Sequence, residues 1–395
     1  MKTQHIKLLV LRLAFCLCLM TFLFGTATAQ PSGLALCEPE ECGLSASRLA
    51  AIDTVVAEGL RNERMPGCVV LVGYQGRIAW LKAYGSRQVK PEAVPMTTDT
   101  VFDLASLTKP IATATSIMLL IEDGLVELDA PAAKYIPEFG NTGKDVITIR
   151  QLLTHQSGLL PDNSIRDYEN GREETFRLIH ELDLRAEPGT RFMYSDVGFI
   201  VLGEIVERVS GKTLDAFAKE RIFTPLGMSE TGFNPPADLK HRAAPTQERN
   251  GEWMRGEVHD PRAYKLGGVA GHAGLFSTAE DLARYAQMLM SNGELGEARI
   301  LKGETCQLMQ TSQDVSSGVR TLGWDRRTGY SSNRGDLFSE QAFGHGGFTG
   351  TALWIDPVQE MFVIFLSNRV HPDGKGSVNA LAGRIGTIAA AAIVE

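Results

Sequence analysis

The sequence predicts an α/β fold of the α+β type: an antiparallel sheet formed from both ends of the chain, flanked by helices, with a large, mainly helical insertion. Apolar, β-branched segments typical of strands lie near both ends of the 395 residues, and helical periodicity and helix caps occupy the region between them. We therefore expect one domain over residues 44–395, with sheet segments at about 44–100 and 340–395 and the helical part at about 101–339.

The first sheet segment contains a helix and a hairpin. Apolar residues recur at helical spacing from Ser45 to Asn62, which predicts a helix. Cys68 to Tyr74 and Ile78 to Tyr84 are rich in apolar residues and are separated by the turn pair Gln75–Gly76. This pattern predicts two antiparallel strands.

Capping patterns mark the helices of the central region. A helix is predicted from Ser106 to about Glu122, with Gly124 closing it. The other predicted starts are the capping box of Thr148 and Gln151, the cap Ser195 before a helix from Val197 to about Val209, and the capping box of Ser277 and Glu280 before a helix that ends near Gly293.

The second sheet segment lies near the C-terminus. Thr351 to Ile355 and Met361 to Ser367 are apolar and flank the turn residues Asp356–Pro357, which predicts a second hairpin. A final helix is expected from Gly376 to Val394. Its Ala-rich face carries few cations, which favours packing on the sheet over a membrane surface.

The first 29 residues have the pattern of a secretory signal peptide. A basic start precedes the apolar stretch from Leu13 to Phe24, and small residues precede a cleavage site near Ala29. We therefore expect an exported, periplasmic or extracellular protein with an N-terminal segment over residues 30–43. An uncleaved membrane anchor is the alternative, and the protein is expected at a membrane only in that case. Export permits disulfides, and Cys37 and Cys42 can close a small loop.

The net charge argues against nucleic-acid binding. The formal charge is −8, and loss of the predicted signal removes three of the 39 basic residues and no acid, leaving −11. An acidic surface opposes nonspecific binding to nucleic acid and to anionic lipid. No cysteine and histidine spacing resembles a zinc site, so no metal is predicted.

Three short motifs carry candidate chemistry. In the first, Ser106 and Lys109 are three residues apart, which on a helix places both side chains on one face. Serine is a weak nucleophile that needs a base, and a lysine amine can be that base when its pKa is depressed. The second motif is Tyr194-Ser195-Asp196, in which a phenol near a lysine ammonium can accept or relay a proton.

The third motif is His345-Gly346-Gly347, just before the predicted strand from Thr351. Glycines let a substrate backbone lie close along a strand, and the histidine can polarise a substrate group or bind a carboxylate. Each motif alone also has a purely structural explanation, as a helix cap, a packed tyrosine or a turn histidine. The three together, in this order, indicate a serine hydrolase site.

The motifs resemble those of the serine β-lactamase and penicillin-binding-protein superfamily. The similarity is closest to its class C β-lactamase, esterase and D-alanyl-D-alanine carboxypeptidase branch, and it extends over most of the chain from Leu44. Further similar stretches are Ile147–Leu159, Pro225–Met228 and Gly274–Leu282.

The resemblance implies roles for the first two motifs. Ser106 would be the acylated nucleophile, Lys109 its proton partner and Tyr194 the general base. The oxyanion hole would consist of the backbone N–H groups of Ser106 and Phe348. The residues themselves do not decide between Tyr194 and Lys109 as proton acceptor. No metal or organic cofactor is implied.

The resemblance also implies substrate-binding roles for Asp196, His345, Gly346 and Gly347, but two of these depart from the usual pattern. Asp196 stands where the family usually has Asn, which removes an amide donor and adds a charge that would favour a protonated Lys109. Gly346 lacks the hydroxyl often found at its position. Both departures favour an ester or D-alanyl peptide substrate over efficient β-lactam turnover.

The expected function is thus that of an exported serine hydrolase acting through an acyl-serine on an ester, a D-alanyl peptide or another cell-wall-derived amide. Two alternatives remain open. One is a class C-like β-lactamase, and the other is a catalytically silent homologue that binds cell-wall peptides. The expected partner is a small-molecule or cell-wall peptide substrate, and the oligomeric state is not predicted.

Overall fold

A computed structural model describes residues 33–394. Its main feature is a nine-stranded sheet in which the strand order is β11-β12-β13-β14-β15-β16-β1-β2-β3, and every pairing is antiparallel. The strands of this sheet are β1 Gly67–Tyr74, β2 Arg77–Gln88, β3 Val94–Pro95, β11 Gln313–Val315, β12 Gly318–Arg320, β13 Asp325–Arg327, β14 Phe343–Gly347, β15 Thr351–Asp356 and β16 Met361–Ser367.

Seven short strands lie outside this sheet in the described part of the chain. They form a three-stranded sheet of order β4-β8-β5 and two hairpins. These strands are β4 Phe102–Asp103, β5 Gly232–Phe233, β6 Glu248–Arg249, β7 Glu252–Trp253, β8 Leu275–Ser277, β9 Glu294–Leu295 and β10 Ala298–Arg299.

Two α-helices of the described residues lie near the N-terminal end, one lies at the C-terminal end, and the others lie between the two sheet segments. They are α1 Ala46–Leu49, α2 Ala51–Arg61, α3 Thr115–Glu122, α4 Ile149–Leu153, α5 Arg172–His180, α6 Asp196–Ser210, α7 Leu214–Ala218, α8 Ala237–Arg242, α9 Pro261–Lys265, α10 Ala279–Met290, α11 Gly303–Gln310 and α12 Asn379–Ala391. None of them is both long and apolar enough to cross a membrane.

The sheet separates two apolar cores, as alternation along β1 requires. Val69 and Leu71 pack with the central helices, whereas Cys68, Val70 and Val72 pack with α1, α2 and α12 on the opposite face. Successive side chains of a strand point to opposite faces, so a strand with both faces covered is apolar throughout. The predicted fold class, an antiparallel sheet from both ends with flanking helices and a helical insertion, is confirmed.

The sheet also extends into the middle of the sequence. Strands β11, β12 and β13 begin at residue 313, ahead of the 340–395 range expected for the second sheet segment. Each is only three residues long. The pairing of β12 with β13 contains a register shift, and β13 pairs with β14 at a single position. Such short strands carry too little alternation to be recognised from sequence.

Several element boundaries differ from the predicted ones. The helix expected from Ser45 to Asn62 is divided at Ala50, and the final helix is α12, shorter than expected. The cap of α10 was predicted one residue too early, because Thr278 accepts the hydrogen bond from the Asp281 N–H. Ser277 bonds the Thr231 hydroxyl in the core instead.

The capping box of Thr148 and Gln151 is confirmed, with both reciprocal hydrogen bonds present. Cys37 and Cys42 form a disulfide, as their spacing allowed, and Cys68 is a buried thiol. The predicted signal peptide and its cleavage site lie outside the described residues.

Candidate active site

The candidate nucleophile lies on a strained turn between β4 and the central helices. Ala105 has a φ of +46°, a backbone conformation that costs energy for a residue with a Cβ. Ser106 follows in a single 3₁₀ turn, Ala105–Leu107, and Lys109 begins a π-helical segment that continues into α3. The single helix predicted from Ser106 to Glu122 is therefore three successive helix types, a distinction that apolar periodicity does not resolve.

Lys109 is fully buried and connects the first two motifs. Its Nζ donates to the Ser106 Oγ at 3.0 Å and to the His272 carbonyl oxygen at 3.0 Å, and it lies 2.6 Å from a carboxylate oxygen of Asp196. Burial lowers the pKa of Lys109, but the negative charge of Asp196 and the nearby Tyr194 outweigh it and hold that pKa above its ordinary value. Lys109 is therefore an ammonium in the resting site.

Tyr194 is held in place by ring contacts on several sides. Its ring centroid lies 4.3 Å from that of His155 and 4.8 Å from that of Tyr330, and the Lys109 Nζ is 4.9 Å above it. Burial raises the pKa of Tyr194 above its usual value; Lys109 opposes this, and Asp196 adds to it. The resting side chain is a neutral phenol whose ionisation Lys109 favours and Asp196 disfavours.

The start of α6 fixes the direction of the second motif. Ser195 caps the helix by accepting from the Gly198 N–H at 3.0 Å, and its hydroxyl donates to the Leu160 carbonyl oxygen at 2.7 Å. The Ser195 N–H donates to Nδ1 of His155 at 3.0 Å. A cap bonded on three sides leaves the residues before and after it, Tyr194 and Asp196, little freedom to move.

His345 lies within strand β14, so it is not a turn residue. Its Nδ1 is 2.7 Å from the Gly346 carbonyl oxygen, which can only accept, so Nδ1 carries the proton and Nε2 is left as an acceptor. Burial, then the cations Arg320 and Lys109, hold the pKa of His345 well below its ordinary value. A neutral imidazole with an acceptor nitrogen suits a substrate N–H better than a substrate carboxylate.

Glycines bring β14 against the turn that carries Ser106. A Cβ on Gly347 would overlap the Leu104 carbonyl oxygen and the Thr351 hydroxyl, so only glycine fits at this position. The Thr351 hydroxyl also donates to the Leu104 carbonyl oxygen at 3.1 Å. This close approach places Phe348, the residue after β14, beside the nucleophile turn.

One cavity of about 680 Å³ collects the predicted site residues. Lys109 lies beneath it, bonded to the serine, and all the others line its wall. These lining residues are Ser106, Tyr194, Asp196, His345, Gly346, Gly347 and Phe348. The structure therefore brings together in one cavity three motifs that are distributed in the sequence between residues 106 and 347.

The family is shown by comparison with known proteins. The sequence model of the Beta-lactamase family matches residues 52–386. This chain belongs to the β-lactamase family. As a member, it is a serine hydrolase, and its curated relatives include proteins named as a carboxypeptidase and as an amidase.

Two curated relatives cover most of the chain. A protein of Escherichia coli (strain K12) named "Putative D-alanyl-D-alanine carboxypeptidase" is 33% identical over 372 residues, covering 84% of this chain and 85% of its own length. The "N-acetylmuramyl-L-alanine amidase" of Bacillus subtilis (strain 168) is 32% identical over 370 residues, covering 84% and 83%.

Solved structures show the same fold at lower identity. "A class C beta-lactamase" superposes with a TM-score of 0.73 at 18% identity, covering 89% of this chain and 98% of that one. "EstCE1, a hydrolase with promiscuous acyltransferase activity" gives 0.69 at 24% identity, covering 88% and 99%. These similarities show that the chain shares the fold of those proteins.

The cavity of this β-lactamase-family protein also contains residues that the sequence motifs did not indicate. Asp260 pairs with His272, 3.0 Å away, and not with its sequence neighbour His259. The carbonyl oxygen of His272, in a glycine-rich segment, also accepts a hydrogen bond from the Lys109 Nζ. Partners twelve residues apart in a loop have no spacing rule that would reveal them.

Asp196, Asp260 and His272 form a group whose donor atoms lie within 4.8 Å of one another. Their donors are already engaged in other contacts. Asp196 faces Lys109 at 2.6 Å, and one Asp260 oxygen accepts from His272 and from two N–H groups at the start of α9. Because a lysine ammonium already occupies the position beside Asp196, we assign no metal to this group.

Proposed function

We propose that this protein is an acyl-serine hydrolase that cleaves an amide or ester of a cell-wall-derived peptide. The observation that carries the proposal is the 3.0 Å contact between the Lys109 Nζ and the Ser106 Oγ at the base of the cavity. Two relatives at 32% and 33% identity support the substrate class, because both of their names denote hydrolysis of an amide bond beside alanine.

In acylation, the Ser106 oxygen forms a bond to the substrate carbonyl carbon and passes its proton to the Tyr194 oxygen, which has first released its own proton to solvent. We propose Tyr194 as the acceptor because Asp196 keeps Lys109 protonated, and the Lys109 ammonium stabilises negative charge on the phenol oxygen. The backbone N–H groups of Ser106 and Phe348 bind the oxyanion. Collapse breaks the bond to the leaving amine or alcohol, which takes the proton from Tyr194.

Deacylation follows the same route with water. A water gives its proton to the Tyr194 oxygen while its oxygen adds to the ester carbonyl, and collapse returns the proton to Ser106 and releases the acid. The acceptor nitrogen of His345 faces the same cavity and would receive a hydrogen bond from a substrate amide N–H. That preference favours a peptide over a simple ester.

Intact mass spectrometry tests the proposal most directly. Wild type and Ser106→Ala are incubated with a penicillin, a D-alanyl-D-alanine peptide and an N-acetylmuramyl peptide, and adducts and products are followed in time. We expect a transient wild-type adduct with one of the peptides, and neither adduct nor product with Ser106→Ala. Turnover that persists in Ser106→Ala contradicts the proposal.

The other outcomes identify the alternatives. A lasting adduct with penicillin indicates a penicillin-binding protein, and rapid nitrocefin turnover indicates a β-lactamase. Peptide binding with no adduct indicates a silent homologue. We further propose that the protein acts after export, since the predicted signal peptide and the disulfide of Cys37 and Cys42 are both typical of exported proteins. Fractionation of the producing cells tests this.

A further inference from the structure

Asp103 is a buried carboxylate immediately before the nucleophile turn, and the mechanism above does not use it. One oxygen accepts from the Ala105 N–H at 2.8 Å, and the other accepts from the His259 N–H at 2.7 Å. The side chain is 3% exposed. Two charge-assisted hydrogen bonds to backbone in a dry environment form a strong and directional anchor.

The first of these bonds acts on the amide of Ser106. Ala105 is held at a φ of +46°, which an isolated chain would not retain. Its N–H is fixed by the Asp103 carboxylate, and the next peptide unit contains the N–H of Ser106. The orientation of one expected oxyanion donor therefore depends on this bond.

The second bond holds the backbone of His259, whose side chain contacts Phe348. The ring of His259 stacks on that of Phe348, with centroids 5.5 Å apart and planes 23° from parallel. The Phe348 side chain is 60% exposed, and its other ring contact is the Arg369 guanidinium, 4.5 Å from the ring centroid, which also donates to the Phe348 carbonyl oxygen. The Asp103 backbone also participates, since its carbonyl oxygen accepts from the Thr349 hydroxyl at 2.6 Å.

We propose that Asp103 is a positioning residue that aligns the two halves of the oxyanion hole, the Ser106 turn and the Phe348 loop. The inference rests on the proposed acyl-serine mechanism, because an oxyanion forms only there. A misplacement of reacting groups by about 1 Å can cost 100-fold in rate, so small movements of either amide would be measurable.

The test measures ester turnover and boronate affinity in three variants. In Asp103→Asn, one carboxylate oxygen remains as an acceptor and the other is replaced by an NH2 group. This NH2 group would face a backbone N–H, so one of the two hydrogen bonds is lost. We expect kcat for a p-nitrophenyl ester and affinity for phenylboronic acid, whose adduct on Ser106 mimics the oxyanion, both to fall by about 10- to 100-fold. We expect KM to stay within about threefold, since ground-state binding does not require the oxyanion.

Asp281→Asn is the matched control. Asp281 is also a buried carboxylate that accepts from a backbone N–H, that of Glu230 at 2.9 Å, but it does not line the cavity. Its substitution should leave kcat and boronate affinity within about twofold. Thr349→Val, which removes only the 2.6 Å bond to the Asp103 carbonyl, provides a milder variant and should show the same pattern as Asp103→Asn.

The outcomes separate this inference from the proposed function. A wild-type chain with neither ester turnover nor boronate adduct contradicts the proposed function and this inference with it. An active wild type with Asp103→Asn and Asp281→Asn equally impaired overturns this inference alone. A loss in Asp103→Asn that changes only KM also overturns this inference. The same conclusion follows if Thr349→Val behaves as wild type and Asp103→Asn keeps its affinity for phenylboronic acid.

Discussion

The two buried carboxylates Asp103 and Asp281 make the stability of the fold fall as pH rises from acid to neutral. Burial raises the pKa of each from 3.8 to about 6, and hydrogen bonds only partly oppose it. The folded protein therefore binds more protons than the unfolded chain between these values. Stability from this source is complete below pH 3.8 and is lost as pH rises through about 6.

The size of the effect follows from the same values. The difference between 3.8 and about 6 corresponds to about 3 kcal/mol for each residue. An asparagine does not titrate, so Asp281→Asn removes its share of the pH dependence. Between pH 4 and pH 7, the free energy of unfolding of wild type should fall relative to Asp281→Asn by about 2 kcal/mol, since part of the effect lies below pH 4.

Urea unfolding of both proteins at several pH values from 4 to 7 measures this difference, and the other titrating groups cancel in the comparison. Asp103→Asn should behave similarly, and the double variant should show about twice the effect, since the residues share no hydrogen-bond partner. Parallel stability curves for wild type and Asp281→Asn would refute the reasoning.

Two further predictions concern Asp196 and the disulfide. Asp196 raises the pKa of Lys109 and of Tyr194, so Asp196→Asn should move the rising limb of the kcat/KM pH profile to lower pH; an unmoved or higher limb would argue against Tyr194 as base. Cys37→Ser should lower the free energy of unfolding by about 2 kcal/mol relative to oxidised wild type, with no difference after reduction, since the small loop closed by Cys37 and Cys42 restricts the unfolded chain. Equal stability of oxidised and reduced wild type would contradict this.

The motif residues were predictable because their chemistry is local in sequence. Ser106 and Lys109 are in contact because they are three residues apart in a helical segment. Ser195 is the cap of α6, and the start of this helix fixes the positions of Tyr194 and Asp196. The charge of Asp196 indicated a pairing with Lys109, and its carboxylate lies 2.6 Å from the Lys109 Nζ. Strands β1 and β16 were found because both faces are buried, which makes their apolar runs continuous.

The supporting residues were not predictable, since their partners are distant in the chain. Asp103 bonds His259 across 156 residues, and His272 holds Lys109 across 163. No spacing rule links such pairs. Aspartate is also common before turns, so Asp103 by itself indicates no functional role. The cap at Thr278 was missed for a different reason: two hydroxyl residues stand side by side, and only the tertiary contact of Ser277 decides between them.

The pairing of β1 with β16 has a consequence for the order of folding. Cys68 lies opposite Ser367, about 300 residues later, and the register continues to Tyr74 and Met361. During synthesis β1, an interior strand of the sheet, must wait for almost the whole chain before it gains its second neighbour. Contacts of such long range make folding slow and leave apolar strand edges open to association. The candidate site therefore joins Ser106 and Lys109, three residues apart, to His345 and Phe348, which the ribosome adds more than 200 residues later, so the site is complete only when the sheet closes.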